Sequence, residues 1–245
     1  MDGPRAGNDD RLLEALDFKT YGVAEAARLV HIHPRRTSRW LQGYVYEYEV
    51  QPGRFKRTQQ APVVRREATE GTIYASFLDL IDLLFVKQFL DHGISLQRIR
   101  LAFDEASLVL NTNHFARQTF FTDGRSIYLR LAEFGPDRAE GIMQLMSGGQ
   151  WTIAPIIEEL ASRIDFHEAT GLARRWFPMG REGHVVVDPL IAFGRPSLFR
   201  RGVATENVYD FFIGEGEELH RVAGAFPFPP DELMAAVHFE HELAA

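Results

Sequence analysis

The residues best suited to chemistry stand in one short run. Within residues 34–42, PRRTSRWLQ, three arginines (Arg35, Arg36, Arg39) together with Thr37 and Ser38 follow Pro34. Guanidinium groups recognise guanine edges and phosphate oxygens, and short hydroxyls can donate to either. The chemistry on offer is recognition of a polyanion rather than bond making. Histidine offers the rival: His238 and His241 lie three apart, near Glu240 and Glu242, and could present two metal ligands from a helix. That set lacks a third ligand and differs from H-E-x-x-H, so no metal or other cofactor is expected. Neither the stretch EFGPDRAEG at 133–141 nor the pair Gly148-Gly149 carries the Gly-Lys-Ser/Thr of a phosphate loop. No Ser–His–Asp order stands out, and the chain is expected not to be an enzyme.

The elements that must hold these cations can be read from the flanking residues. Val23, Ala27 and Val30 repeat at helical spacing, with Gly22 placed as an N-cap. His31-Ile32-His33 breaks the pattern, with Ile32 turned inward and His33 placed to cap a second helix. Pro34 suits the first position of that helix, where its missing N–H is no loss. The helix should run to about Gln42, bury Trp40 and Leu41, and stop at Gly43. Two short helices with cations at the start of the second is the helix-turn-helix layout, whose second helix enters the major groove. Tyr44, Tyr46 and Tyr48 then alternate with Val45, Glu47 and Glu49, a strand pattern. Pro52-Gly53 marks a turn. Arg54, Lys56 and Arg57 are expected at its tip, with Pro62–Arg66 returning as a second strand. Such a basic wing would lie along phosphates and add salt-dependent affinity.

Bulk composition sets the background. The 245 residues are 45% hydrophobic and 25% charged, with net charge −7 and no cysteine. Disulfides and thiolate metal sites are thereby excluded, and a reducing cytoplasm is expected. The start, MDGPRAGNDDR, is polar and acidic rather than a secretory signal. No run approaches the roughly 20 apolar residues of a membrane helix. The net charge hides an asymmetry. Residues 18–66 hold ten Lys/Arg against three acids, whereas residues 184–245 hold four Arg against ten acids. A basic head and an acidic tail point to two partners.

Further along, Phe77, Leu80, Ile81, Leu84, Phe85 and Leu90 form a strongly apolar helix ended by His92-Gly93, and Ser95 can cap the next. Asp123-Gly124 marks a β-hairpin, and the stretch around Pro155 reads as a helix. In the tail, Thr205 is placed as an N-cap. Gly214–Gly216 forms a turn, a helix spans Glu217–Ala223, and Leu233, Val237 and His241 share a face of the last helix.

GVAEAARLVHIHPRRTSRWL followed by SFLDLIDLLFVKQFLDHGISLQRIRLAF resembles MerR-type regulators. VVVDPLIAFGRPSLFRRGVATENVYDFF, with Gly194-Arg195-Pro196 as its glycine–proline entry, resembles the bacterial domain of unknown function 433. The long terminal coiled coil of MerR-type regulators and the cysteines of their metal-sensing members are missing, and Gly202-Val203-Ala204 replaces a Gly-x-Arg-hydrophobic-Pro run. The combination resembles a group of VapB-type antitoxins. It implies binding to double-stranded operator DNA as a homodimer or higher oligomer, neutralisation of a cognate PIN-like ribonuclease toxin, and operon autoregulation. A MerR-like regulator with a small ligand in its C-terminal half is the alternative.

The expected fold class is α+β, mainly helical. A flexible terminus (1–17) would precede a MerR-like DNA-binding domain with wing (18–110), a mixed α/β connecting region (111–183) and an acidic three-helix module (184–245). The DNA-binding set is Arg35, Arg36, Thr37, Ser38, Arg39, Arg54, Lys56 and Arg57. From Thr205 onward Arg221 is the only Lys/Arg against nine acids, so the tail is expected to meet a protein rather than DNA.

Overall fold

Ser76 starts the helix around which one half of the chain is built. In the computed structural model, which describes residues 6–66, 71–111, 113–118 and 153–244, the Ser76 hydroxyl accepts the Asp79 N–H at 3.1 Å. The Asp79 carboxylate in turn accepts the Ser76 N–H at 2.9 Å. This reciprocal cap satisfies two donors that a helix start leaves open. The helix it opens (Phe77–Asp91) is buried on nearly all sides, Phe77, Leu80, Ile81, Leu83, Phe85 and Phe89 among the residues involved. A helix apolar all round belongs at the centre of a core.

The chain divides into two compact units, residues 21–157 and residues 1–20 together with 158–245. In the first unit, α2 (Val23–Leu29) and α3 (Pro34–Gln42) pack on each other, and α3 packs on α4 (Phe77–Asp91). Tyr21–Gly22 (β1) pairs antiparallel with Tyr74–Ala75 (β4), closing the unit across α2. Between them stands a two-stranded antiparallel hairpin, β2 (Tyr44–Gln51) and β3 (Arg54–Gln60). The return strand thus begins at Arg54, not at Pro62. Residues 63 and 64 instead strap the core: their side chains are buried and their N–H groups donate to the Trp40 carbonyl at 2.9 and 3.1 Å. The next helix, α5 (Leu96–Leu110), is capped by Ser95, whose hydroxyl accepts the Arg98 N–H.

Polar groups also lie in this core, Asp79 and Asp82 among them. Asp82 on α4 is buried; it accepts the N–H groups of Phe115 and Ala116 at 2.9 and 3.0 Å and meets His114 Nδ1 at 2.9 Å. Burial pushes its carboxyl above the ordinary value, against the pull of His114. The hairpin expected at Asp123-Gly124 lies outside the described residues.

The second unit differs most from expectation. Residues 1–17 were expected to be a flexible terminus, yet α1 spans Ala6–Asp17 and buries Leu12 and Leu16, a pair at helical i, i+4 spacing. The boundary expected at 183/184 also falls inside this unit, because residues 158–183 group with the tail. After α6 (Ile153–Ser162) come two antiparallel pairs, β5 (Ile164–Phe166) with β6 (Ala173–Trp176) and β7 (Val185–Val186) with β8 (Ser197–Leu198). Three helices complete the unit: α7 (Thr205–Gly214), α8 (Leu219–Ala225) and α9 (Pro230–Ala244). Leu198, Val208, Val222, Leu233 and Ala236 form their common core. Thr205 is not the N-cap; Ala204 is. The Thr205 hydroxyl instead lies within hydrogen-bond distance of the Pro196 carbonyl and the buried Glu240 carboxylate. α8 starts two residues later than expected, and His241 is exposed while Leu233 and Val237 are buried.

Gly43 carries a testable constraint where α3 meets the hairpin. Its φ is +74°, and a Cβ there would collide with the Gln60 carbonyl oxygen. Both the left-handed backbone and the collision oppose a side chain. Gly43→Ala should lower stability by about 2–4 kcal/mol, read as a fall in the denaturant midpoint. An unchanged midpoint would remove the constraint.

Candidate nucleic-acid interface

His33 sets up the first wall of the interface. Its Nδ1 accepts the Arg35 N–H at 3.1 Å and its carbonyl accepts the Arg36 and Thr37 N–H groups at 2.8 and 3.1 Å. Pro34 fills the first helical position. The preceding turn is closed by Ile32 N–H donating to the Ala27 carbonyl at 2.9 Å, with His31 at φ +51° and Ile32 buried. The result fixes the start of α3 at the surface.

Not all of the expected side chains face outward there. Arg35, Arg36 and Arg39 are exposed. Ser38 is half-buried, and its hydroxyl accepts from Gln42 Nε2 at 2.7 Å. Thr37 must leave the set: it has no exposed surface, and its hydroxyl points to the His33 carbonyl at 3.4 Å. It shares the buried face with Trp40 and Leu41, as its helical spacing from them requires.

The hairpin is the second wall, and its register sorts its side chains. Tyr44 stands opposite Gln60, Tyr46 opposite Thr58 and Tyr48 opposite Lys56, while Glu47 stands opposite Arg57 and Glu49 opposite Phe55. Side chains on opposed residues share a face, and alternate residues of one strand share it too. Lys56 and Arg54 therefore lie on the tyrosine face, and Arg57 lies on the other with Val45, Glu47, Glu49 and Phe55. The three wing cations, expected to act together, are split. They also lie along the return strand rather than at the tip, which is Pro52-Gly53. The Gly53 N–H is held by the Glu49 carboxylate at 2.7 Å.

The tyrosine face carries two cations and no acid; the opposite face carries two acids and one cation. Electrostatics alone selects the first for a polyanion. The face is also continuous with α3: the Arg39 guanidinium sits 4.8 Å from the Tyr44 ring centroid. Successive ring centroids along Tyr44, Tyr46 and Tyr48 are 5.7 and 5.8 Å apart, and Tyr46 and Tyr48 remain about 40% exposed. Sequence reasoning placed these tyrosines on a strand but assigned them no role. The alternation and the two-residue turn were the signals that could have placed them beside Lys56.

The tail offers a different surface. Helix α9 contains no Lys or Arg. Of the four acids expected to make it repulsive, Glu240 is buried and Glu232 is paired with Arg201, at 2.7 and 3.0 Å. That pairing holds the Glu232 carboxyl below the usual range. Asp231 and Glu242 remain exposed, and so do His238 and His241. Among the described residues no group of three or more His, Asp or Glu is placed to hold a metal ion, and no helix is long and apolar enough to cross a membrane.

No family model matches the chain. Its fold is similar to that in the X-ray crystal structure of Rv2018 from Mycobacterium tuberculosis, at a TM-score of 0.64 covering 91% of this chain and 99% of that one. At 22% identity, the likeness concerns the fold. Uncharacterised HTH-type transcriptional regulators of Mycobacterium bovis and Mycobacterium tuberculosis are 34% identical over 113 residues, 43% of this chain and 47% of each regulator. The Mycobacterium tuberculosis protein named "Putative antitoxin VapB45" is 25% identical over 237 residues, 94% of this chain and 97% of its own length.

Proposed function

We propose that the chain is the antitoxin of a bacterial type II toxin–antitoxin pair, acting in the cytoplasm. Its first unit binds double-stranded operator DNA, and its second unit meets and neutralises a ribonuclease toxin of the PIN-like class. The observation that carries the DNA half is the continuous cationic strip from Arg35, Arg36 and Arg39 across Tyr44 to Lys56 and Arg54. The antitoxin half is supported by the similarity to the VapB45 protein over nearly the whole length of both chains. A protein that binds both partners couples them, so toxin supply regulates the operon. Operator half-sites are read by a homodimer or higher oligomer, as paired recognition helices require. The tail does not read DNA, because its last helix has no cation to offer a phosphate.

A MerR-like regulator controlled by a small ligand is the second reading. The partial match to HTH-type regulators favours it. The adjacent reading frame discriminates. Expressed alone, a toxin stops host growth; co-expressed with this chain, growth returns and the two copurify. A harmless neighbour that does not bind would turn the assignment toward the regulator.

The split of the wing cations gives a sharper expectation. Lys56→Ala should reduce the slope of log affinity against log salt by about one, as loss of one phosphate contact does. Arg57→Ala should leave it unchanged. Equal losses from the two variants would put both faces of the hairpin on DNA.

A further inference from the structure

The loop between Asp188 and Pro196 in the second unit is anchored at both ends and open in the middle. The Asp188 carboxylate accepts from Arg175 Nε and from the Leu190 N–H, at 3.0 and 2.9 Å. At the far end Gly194 and Pro196 are buried, and the Pro196 carbonyl accepts the Thr205 N–H at 2.9 Å. Between the anchors Ala192 and Phe193 hold φ of +47° and +57°, a backbone that side-chain-bearing residues rarely adopt. Phe193 is left 85% exposed. Across from it, just past the end of α1, Phe18 is 67% exposed. The two rings, with Ala15, Pro189, Arg11 and Glu14, line one groove of about 250 Å³.

Two large aromatic side chains facing the same open groove are not core residues that missed their place. A firmly anchored loop holds one of them out, and aromatics are the residues enriched where proteins meet. The charge beside the groove says what kind of surface meets it. On α1, Asp10, Glu14 and Asp17 are exposed and fall at i, i+4 and i+7 on one face. Arg11 is the one cation in that helix. A second copy docking through the same groove would bring the acidic stripe against itself; a cationic partner would not.

We propose that the Phe18–Phe193 groove is the docking site for the toxin, taking an apolar side chain carried on a Lys/Arg-bearing segment of that protein. The inference rests on the antitoxin reading and names the surface that reading leaves open. The rings supply the anchor and the α1 acids steer the approach, the usual division between affinity and on-rate.

The test uses the full chain co-expressed with the product of the adjacent reading frame. Phe18→Ala with Phe193→Ala should weaken binding on the order of 100-fold and lose growth rescue. DNA binding by the first unit should stay at the wild-type level, and an unchanged thermal denaturation curve shows that the second unit, which carries both substitutions, is folded. Glu14→Lys should slow association without that loss of rescue. Rescue and copurification at the wild-type level by the double alanine variant would overturn the proposal. So would a variant that still binds the toxin but falls to a smaller oligomer, which would assign the groove to self-association. If the wild-type chain neither binds nor rescues, the antitoxin reading fails first and the groove assignment fails with it.

Discussion

Arg35→Ala combined with Arg39→Ala should cost the chain its DNA affinity, on the order of 10²- to 10⁴-fold, while leaving the fold intact. A hydrogen bond to a charged group contributes about 1.5–3 kcal/mol, and two such contacts set the range. Both side chains are exposed on α3, Arg35 in its first turn and Arg39 in its last, and substitutions at exposed positions ordinarily change stability by less than about 0.5 kcal/mol. Arg39 also joins the helix to the hairpin face, its guanidinium lying 4.8 Å from the Tyr44 ring centroid. The readout is a duplex-binding titration beside a denaturation curve. Wild-type affinity in the double variant would return α3 to the status of a solvated helix and leave the chain a scaffold with incidental basic charge.

The largest stability effect should come from a single carboxylate. Asp82→Ala leaves the Phe115 and Ala116 N–H groups without the acceptor they meet at 2.9 and 3.0 Å. It also takes the Asp82 carboxylate from His114. Unpaired buried donors and a broken buried pair together cost about 3–5 kcal/mol. Asp82→Asn keeps an acceptor oxygen and should lose less. The pH dependence has a definite sign. Burial raises the folded carboxyl above 3.8, so its contribution is fully present below 3.8 and fades as pH rises through the raised value. In Asp82→Asn that dependence disappears. Denaturation midpoints of the three proteins across acidic pH check both points; an alanine variant as stable as wild type would mean residues 114–116 are held by other contacts.

The sequence was most legible where structure is local. The bounds of α3, the His33 cap, the Gly43 stop and the Ser95 cap depend on residues within four positions of one another, and each was readable. Thr37 was misplaced although the information was present: its spacing from Trp40 and Leu41 is that of a buried helical face. The hairpin cations needed one more step, since a two-residue turn sets which residues oppose and therefore that Lys56 and Arg57 part company. Asp82 was not readable, because its partners lie 32 to 34 residues away and only the folded core brings them together. Nor was the place of α1, whose Leu12 and Leu16 are a weak apolar signal in a polar stretch and group with a tail beginning at residue 158.

The central claim is that the first unit binds DNA through a strip of phosphate-contacting cations, and salt tests it most directly. The affinity of the full chain for a labelled duplex taken from upstream of its own gene should be measured across a salt series. With several phosphates neutralised, on the order of 4–6 per subunit, log affinity should fall with log salt at a slope of about −4 to −5 per subunit. A flat response, or no binding at low salt, would contradict it.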